Sequence, residues 1–128
     1  MVKADNTTVT GSLDYIFIAG PISLDSRNNL VYIVPDKVIE LTQNEFDSLY
    51  LLAVRENITI SFEIIYDAVW EKDDGIDRRE EAVQTLFEIA EKINKSGNDF
   101  VRIDCHPSFG FTLRTKWGHN RESWQQTL

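Results

Sequence analysis

One cysteine, Cys105, is all that the 128 residues contain, so no disulfide framework within the chain can hold a fold together and a reducing compartment is expected. Long apolar runs are also missing. No stretch is long enough to cross a bilayer, and the N-terminus lacks the charged-then-apolar layout of a secretion signal. A cytoplasmic location with no membrane partner is the expectation. Positive charge is scarce: 13 Lys and Arg stand against 21 Asp and Glu, for a net charge of −8. The shortage is uneven, since residues 36–99 hold 7 bases and 16 acids while residues 100–128 hold 4 bases and 2 acids. Such a balance works against strong non-specific phosphate binding but leaves room for a local basic patch. Glycine-rich phosphate loops, nucleophile elbows and paired-carboxylate signatures are absent, so no enzyme is expected. A single Cys with two His (His106 and His119) cannot close a zinc site, and Asp73-Asp74-Gly75 lacks the spacing and distal Glu of a calcium loop. Neither a metal nor a cofactor is expected.

What remains is an ordinary globular composition, with 42% hydrophobic and 27% charged residues, enough for one domain with its own core. Residues 1–14 are polar without a period and read as a flexible N-terminal segment. From Tyr15 to Leu41, short β-rich runs alternate with turn chemistry at Gly20-Pro21, Asp25-Ser26-Arg27-Asn28-Asn29 and Pro35-Asp36, which predicts a small antiparallel sheet. Thr42-Gln43-Asn44-Glu45 is a capping box flanked by Leu41 and Phe46 at the staple positions, and it opens a helix over 43–55 with Phe46, Leu49, Tyr50 and Ala53 on one face. Ile58-Thr59-Ile60 is β-like. Ser61 is a good N-cap for a second helix over 62–70, whose apolar face reads as Ile64, Ile65, Ala68 and Val69. After the polar segment 71–76, Asp77 caps a third helix over 78–95, with Glu80 three residues past the cap. Ala82, Leu86, Ile89 and Ile93 form its main stripe, with Val83, Phe87 and Ala90 beside it. Two β-rich runs flanking Cys105-His106-Pro107-Ser108 predict a hairpin over 100–114. The segment 116–128 reads as a polar, mobile tail carrying Trp117 and Trp124, which leaves 15–115 as the domain.

A sheet, three helices and a hairpin in that order make an α+β winged helix-turn-helix, a form that places its third helix in the DNA major groove. Gly20-Pro21-Ile22-Ser23-Leu24-Asp25, Ile39-Glu40-Leu41-Thr42-Gln43-Asn44-Glu45-Phe46-Asp47, Leu51-Leu52-Ala53, the run Ser61 to Trp70 and Phe109-Gly110-Phe111-Thr112-Leu113 fall in series. From Tyr15 to Arg114 the chain resembles the OmpR/PhoB-type winged-helix effector domain of response regulators. That resemblance implies transcription regulation in a two-component system, with double-stranded DNA as partner and RNA polymerase contacted through the 71–76 loop. It comes without a counterpart of the family's receiver domain, since the residues before Tyr15 are too few. The third helix departs from the family pattern too. Thr85 stands where a His is frequent, Glu88 on an Arg position, Ala90 and Glu91 on basic ones, and only Lys92 keeps its charge.

Two functions follow, each with its residues. For DNA, Arg78 and Arg79 lie where relatives meet the backbone, Gln84 and Thr85 can bond base edges, and Glu88 can accept from cytosine N4. Ser61 at the second helix start, Arg102 in the wing, and Arg114 and Lys116 at its end complete that set. Acids on the same helix (Glu81, Glu88 and Glu91) oppose phosphate, so binding is expected to be weak or to occur in an assembly. In the alternative, the winged helix serves protein contact, including a homodimer, through Val83, Phe87 and the acidic face at Glu91.

Overall fold

The computed structural model describes residues 14–116. The expectations for residues 1–13, and for His119 and the two tryptophans in 117–128, lie outside the described residues. Strands β1 (Ile16–Ala19), β2 (Ile22–Asp25), β3 (Leu30–Ile33) and β4 (Lys37–Glu40) form an antiparallel meander in that spatial order. Strand alternation turns Ala19, Ile22, Leu24, Val31 and Ile33 into the core. It leaves Ile16, Ile18, Tyr32 and Val38 exposed on the other face. Helix α1 (Gln43–Val54) follows. Its capping box is complete: Thr42 Oγ1 accepts from the Glu45 amide at 3.2 Å, and Glu45 Oε1 accepts from the Thr42 amide at 2.9 Å. Tyr15 and Phe17 set their rings against Tyr50 at 5.5 and 5.3 Å, which ties the sheet to α1.

A short strand β5 (Ile60–Ser61) leads into α2 (Phe62–Val69), then come α3 (Arg79–Asn94) and the hairpin β6 (Val101–His106) and β7 (Gly110–Thr115). Phe46, Leu49, Leu52, Ile65, Trp70, Leu86, Ile89, Ile93 and Leu113 meet the inner face of the first sheet in one core. The predicted winged helix-turn-helix is the fold observed, with the three helices within a residue of their predicted bounds.

Three details differ. The hairpin is the larger part of a three-stranded sheet in the order β5-β7-β6, because Ile60 pairs with Phe111 and Ser61 with Gly110. The apolar face of α2 is rotated from the one predicted. Ile64 and Ala68 are exposed, and the buried stripe is Ile65 and Tyr66 flanked by Phe62 and Val69, the true i, i+3, i+4, i+7 series. The start of α3 shifts by one residue: Arg78 is the N-cap and its side chain makes no capping bond, while Asp77 Oδ1 accepts from the Arg79 amide at 3.0 Å. Gly110 has a reason of its own. A Cβ there would lie 2.0 Å from the Ile60 carbonyl oxygen, so only glycine lets β5 reach β7.

Candidate nucleic-acid interface

Helix α3 lies across the core on Ala82, Leu86, Ile89, Ala90 and Ile93 and shows solvent a face made of Glu80, Val83, Gln84, Phe87, Glu88 and Glu91. Lys92 points away from that face. Its ammonium sits 2.7 Å from Glu45 Oε1, a carboxylate whose side chain is only 3% exposed, and 3.4 Å from the Glu40 carbonyl oxygen. The one cation kept from the family pattern therefore serves the α1 capping box.

The arginines near the start of α3 are engaged as well. Arg78 grips Asp74 with both terminal nitrogens, at 3.1 and 2.5 Å, and its backbone amide donates to Tyr66 Oη at 2.9 Å. The Arg78 hydrogen bond, with the Ile76 amide adding to it, holds the Asp74 carboxyl at about 2. Arg79 pairs with Glu63 at 3.2 Å and Asp77 at 3.6 Å, with its guanidinium carbon 4.7 Å from the Tyr66 ring centroid. Bonding to Glu63 raises its pKa further. Gln84 donates to Glu88 at 3.3 Å, Glu91 pairs with Lys95 at 2.8 Å, Glu81 accepts from the buried Trp70 indole at 3.3 Å, and Thr85 is half-buried.

On the wing, Arg102 and Arg114 stand opposite each other across the strand pair and share Asp104, at 3.0 and 2.9 Å. Burial pushes the Asp104 carboxyl up, but the Arg114 hydrogen bond and the Arg102 charge together outweigh it and keep it low. Lys116 follows β7 and donates its amide to the Phe100 carbonyl. Ser61 is the N-cap of α2, its hydroxyl accepting from the Ile64 amide at 3.3 Å. The structure thus gathers Ser61, Arg79 and Glu63 near the start of α2 and Arg102 with Arg114 on the wing. Arg78, Arg79, Arg102 and Arg114 each already have a carboxylate partner inside the chain. The 71–76 loop is exposed throughout, and Asp74 is engaged there by Arg78.

Between α3, the start of α2 and the wing tip opens a cleft of about 560 Å³, lined by Phe62, Val83, Phe87, Phe109 and Phe111 with Glu63 among its few polar members. Phe87 is 50% exposed and sets its ring edge-on against Phe111 at 5.9 Å. Val83 and Phe87 are therefore brought together as the protein-contact alternative requires, whereas Glu91 lies outside the cleft lining. Sequence reasoning missed Phe62 and Phe109 here; the signal was an aromatic on each side of the Ser61–Gly110 pairing. Burial raises the Cys105 thiol pKa, and Asp104 beside it adds to the effect. Among the described residues no group of three or more His, Cys, Asp or Glu could hold a metal ion, and no helix is long and apolar enough to cross a membrane.

A family model described as "Transcriptional regulatory protein, C terminal" matches residues 36–113. Solved structures share the fold. The DNA-binding domain of E. coli CadC superposes with a TM-score of 0.60 at 17% identity, covering 80% of this chain and 94% of that one. The C-terminal domain of the nisin resistance regulator NsrR, a lantibiotic response regulator, gives 0.59 at 24% identity over 74% and 93%. The Klebsiella pneumoniae RstA DNA-binding domain, solved in complex with the RstA box, gives 0.56 at 18% identity over 77% and 96%. No curated protein matches the sequence.

Proposed function

The chain belongs to the family of transcriptional regulatory protein C-terminal domains, and from that premise we propose that it binds double-stranded DNA through α3 and the β6–β7 wing. The observation that supports this reading is the outer face of α3, open to solvent and carrying Gln84 and Glu88, in a fold whose third helix is the groove-reading element. Arg78, Arg79, Arg102 and Arg114 would meet phosphate by exchanging it for their present carboxylate partners. Ion pairs open to solvent are weak, so the exchange is feasible, but it releases few counterions and brings freed acids near the backbone. The expected result is weak binding with a shallow salt dependence, strengthened in a dimer or a larger assembly. The exposed 71–76 loop is the surface we assign to RNA polymerase, and the domain works in the cytoplasm.

Fluorescence polarisation against duplex DNA at two salt concentrations tests this. Replacing Glu88 and Glu91 together by Arg should tighten binding and steepen the salt slope, because both side chains are exposed and lie off the buried stripe. Tight parental binding with a steep slope would mean that the acidic face counts for little.

A second reading is favoured by one specific observation, the aromatic cleft holding Val83 and Phe87 on the face that DNA would use. In that reading the surface serves protein contact, with Glu91 at its edge, and the chain binds no duplex even at low salt.

A further inference from the structure

The commonest specific contact in the major groove is Arg or Lys on guanine O6 and N7, and the outer face of α3 lacks the cations to make it. From Glu80 to Glu91 the helix holds no Lys or Arg. The cations at its two ends are held by carboxylates: Arg79 pairs with Glu63, Lys92 with Glu45 and Lys95 with Glu91. What the face offers instead is the exposed Glu88 carboxylate beside Phe87 and Val83, which are 50% and 37% exposed. Its one side-chain amide, Gln84, donates to Glu88 Oε2 at 3.3 Å and steadies the carboxylate on the surface.

Base edges sort against such a face. A carboxylate only accepts, so it needs an amino group with no acceptor beside it. Cytosine shows its N4 amino group alone, whereas adenine sets N7 next to its N6 amino group. Guanine N7 and O6 and thymine O4 are acceptors, which a carboxylate repels. Thymine adds a C5 methyl, however, and that is the apolar contact an open phenylalanine makes. Phe87 and Glu88 are consecutive, about 1.5 Å apart along the helix axis against about 3.4 Å per base pair, so both contacts fall within neighbouring pairs. A methyl seated on Phe87 also gives the half-exposed ring a use that phosphate contact does not.

We propose that α3 reads a cytosine through Glu88 and the methyl of a neighbouring thymine through Phe87, with Val83 one turn back extending the apolar strip. The same carboxylate discriminates against guanine on the strand it reads. Glu88 is then a specificity-determining residue, and its repulsion of phosphate accompanies the selection. This specificity rests on the DNA binding proposed above.

Selection by the full chain from duplexes with a randomised window, at low salt, tests it. Retained duplexes should favour cytosine at one position by about tenfold, within the ordinary penalty for a wrong base pair. Glu88→Gln should move that preference to adenine, because a glutamine supplies both the donor that N7 needs and the acceptor that the N6 amino group needs. An effect of charge alone would tighten binding to every duplex alike and move no preference. In polarisation titrations, replacing the thymine next to that cytosine by deoxyuridine, which lacks only the methyl, should weaken the parent severalfold. Phe87→Ala should bind the two duplexes alike. Retained duplexes without a cytosine preference, or a preference that Glu88→Gln leaves in place, overturn the Glu88 assignment while DNA binding stands. Equal affinity of the parent for thymine and deoxyuridine overturns the Phe87 contact. If no duplex is retained at any salt concentration, the DNA reading fails and the base preference fails with it.

Discussion

Helix α3 meets the rest of the molecule in two places that treat charge and apolar surface in opposite ways. Toward its C-terminal end, Lys92 reaches down to Glu45, and a charge pair whose carboxylate is almost fully buried locks α3 to the capping box of α1. Toward its N-terminal end, Val83 and Phe87 stay open beside the wing, and the nearby arginines are spent on surface carboxylates. The first contact is architecture: one Glu45 oxygen, Oε1, accepts from both the Lys92 ammonium and the Thr42 amide. The second is unfinished as packing, which is what a working surface looks like. Lys92 thus serves the frame, while the outer face of α3 is acidic and aromatic.

The largest effect should come from closing the gap at the floor of the cleft. Gly110→Ala places a Cβ 2.0 Å from the Ile60 carbonyl oxygen and 2.9 Å from the Ser61 Cα, both backbone atoms that cannot rotate aside. β5 must detach from β7, and the cost should be about 3 kcal/mol. Calorimetric unfolding measures it, and a variant as stable as its parent would show that β5 contributes little to holding the cleft. Next comes the joint. Lys92→Ala leaves Glu45 buried with only the Thr42 amide on that oxygen. Breaking a buried pair costs about 3–5 kcal/mol, but Lys92 is 40% exposed, so about 2 kcal/mol is expected in urea unfolding. Adding Glu45→Gln to that variant should recover part of the loss.

Phe87→Ala is the smaller test and the one that separates the two regions. A core phenylalanine costs about 3–5 kcal/mol when truncated. Phe87 is half exposed and has one ring contact, with Phe111, so about 1 kcal/mol is expected. A loss of core size would mean that the cleft is a packing element and not a site.

How much of this was legible beforehand follows from how local each signal is. The Thr42–Glu45 box, the Ser61 cap and the strand turns are decided within four residues, and the structure has them where the sequence put them. The α2 face was misjudged because Ile64 and Ala68 fit a helical period as well as Phe62 and Tyr66 do, and only contact with α3 and the core decides which side goes in. β5 was invisible as a sheet member, since two residues gain strand character only from their partners Gly110 and Phe111. Site residues suffered most. Arginines at 78, 79, 102 and 114 read along the chain as part of the DNA-contact set, but their partners Asp74, Glu63, Asp77 and Asp104 could be matched to them only in three dimensions.

The smallest expected effect tests those arginine pairs directly. Asp74 lies on the exposed loop with its carboxyl at about 2, below the ordinary 3.8, because Arg78 bonds its charged form. A depressed carboxylate contributes its stabilisation fully above its unfolded pKa and loses it as pH falls through the folded one. The Asp74–Arg78 pair should therefore be intact at neutral pH and fail only as pH drops from the ordinary carboxylate range through about 2. Because the group is exposed and open to solvent screening, the check is its own titration by carboxyl-carbon NMR, not a melting curve. Arg78→Ala should return Asp74 toward 3.8, whereas Phe87→Ala, acting at the cleft, should leave it unmoved. Asp104 on the wing makes the contrast: burial opposes its charge, so Arg114→Ala should carry its pKa upward with the Arg102 pair left to resist. If Asp74 titrates at its ordinary value in the parent, Arg78 is not held by the loop in solution. It would then be available to phosphate without exchange, and the shallow salt dependence expected of the DNA complex would have to be revised upward.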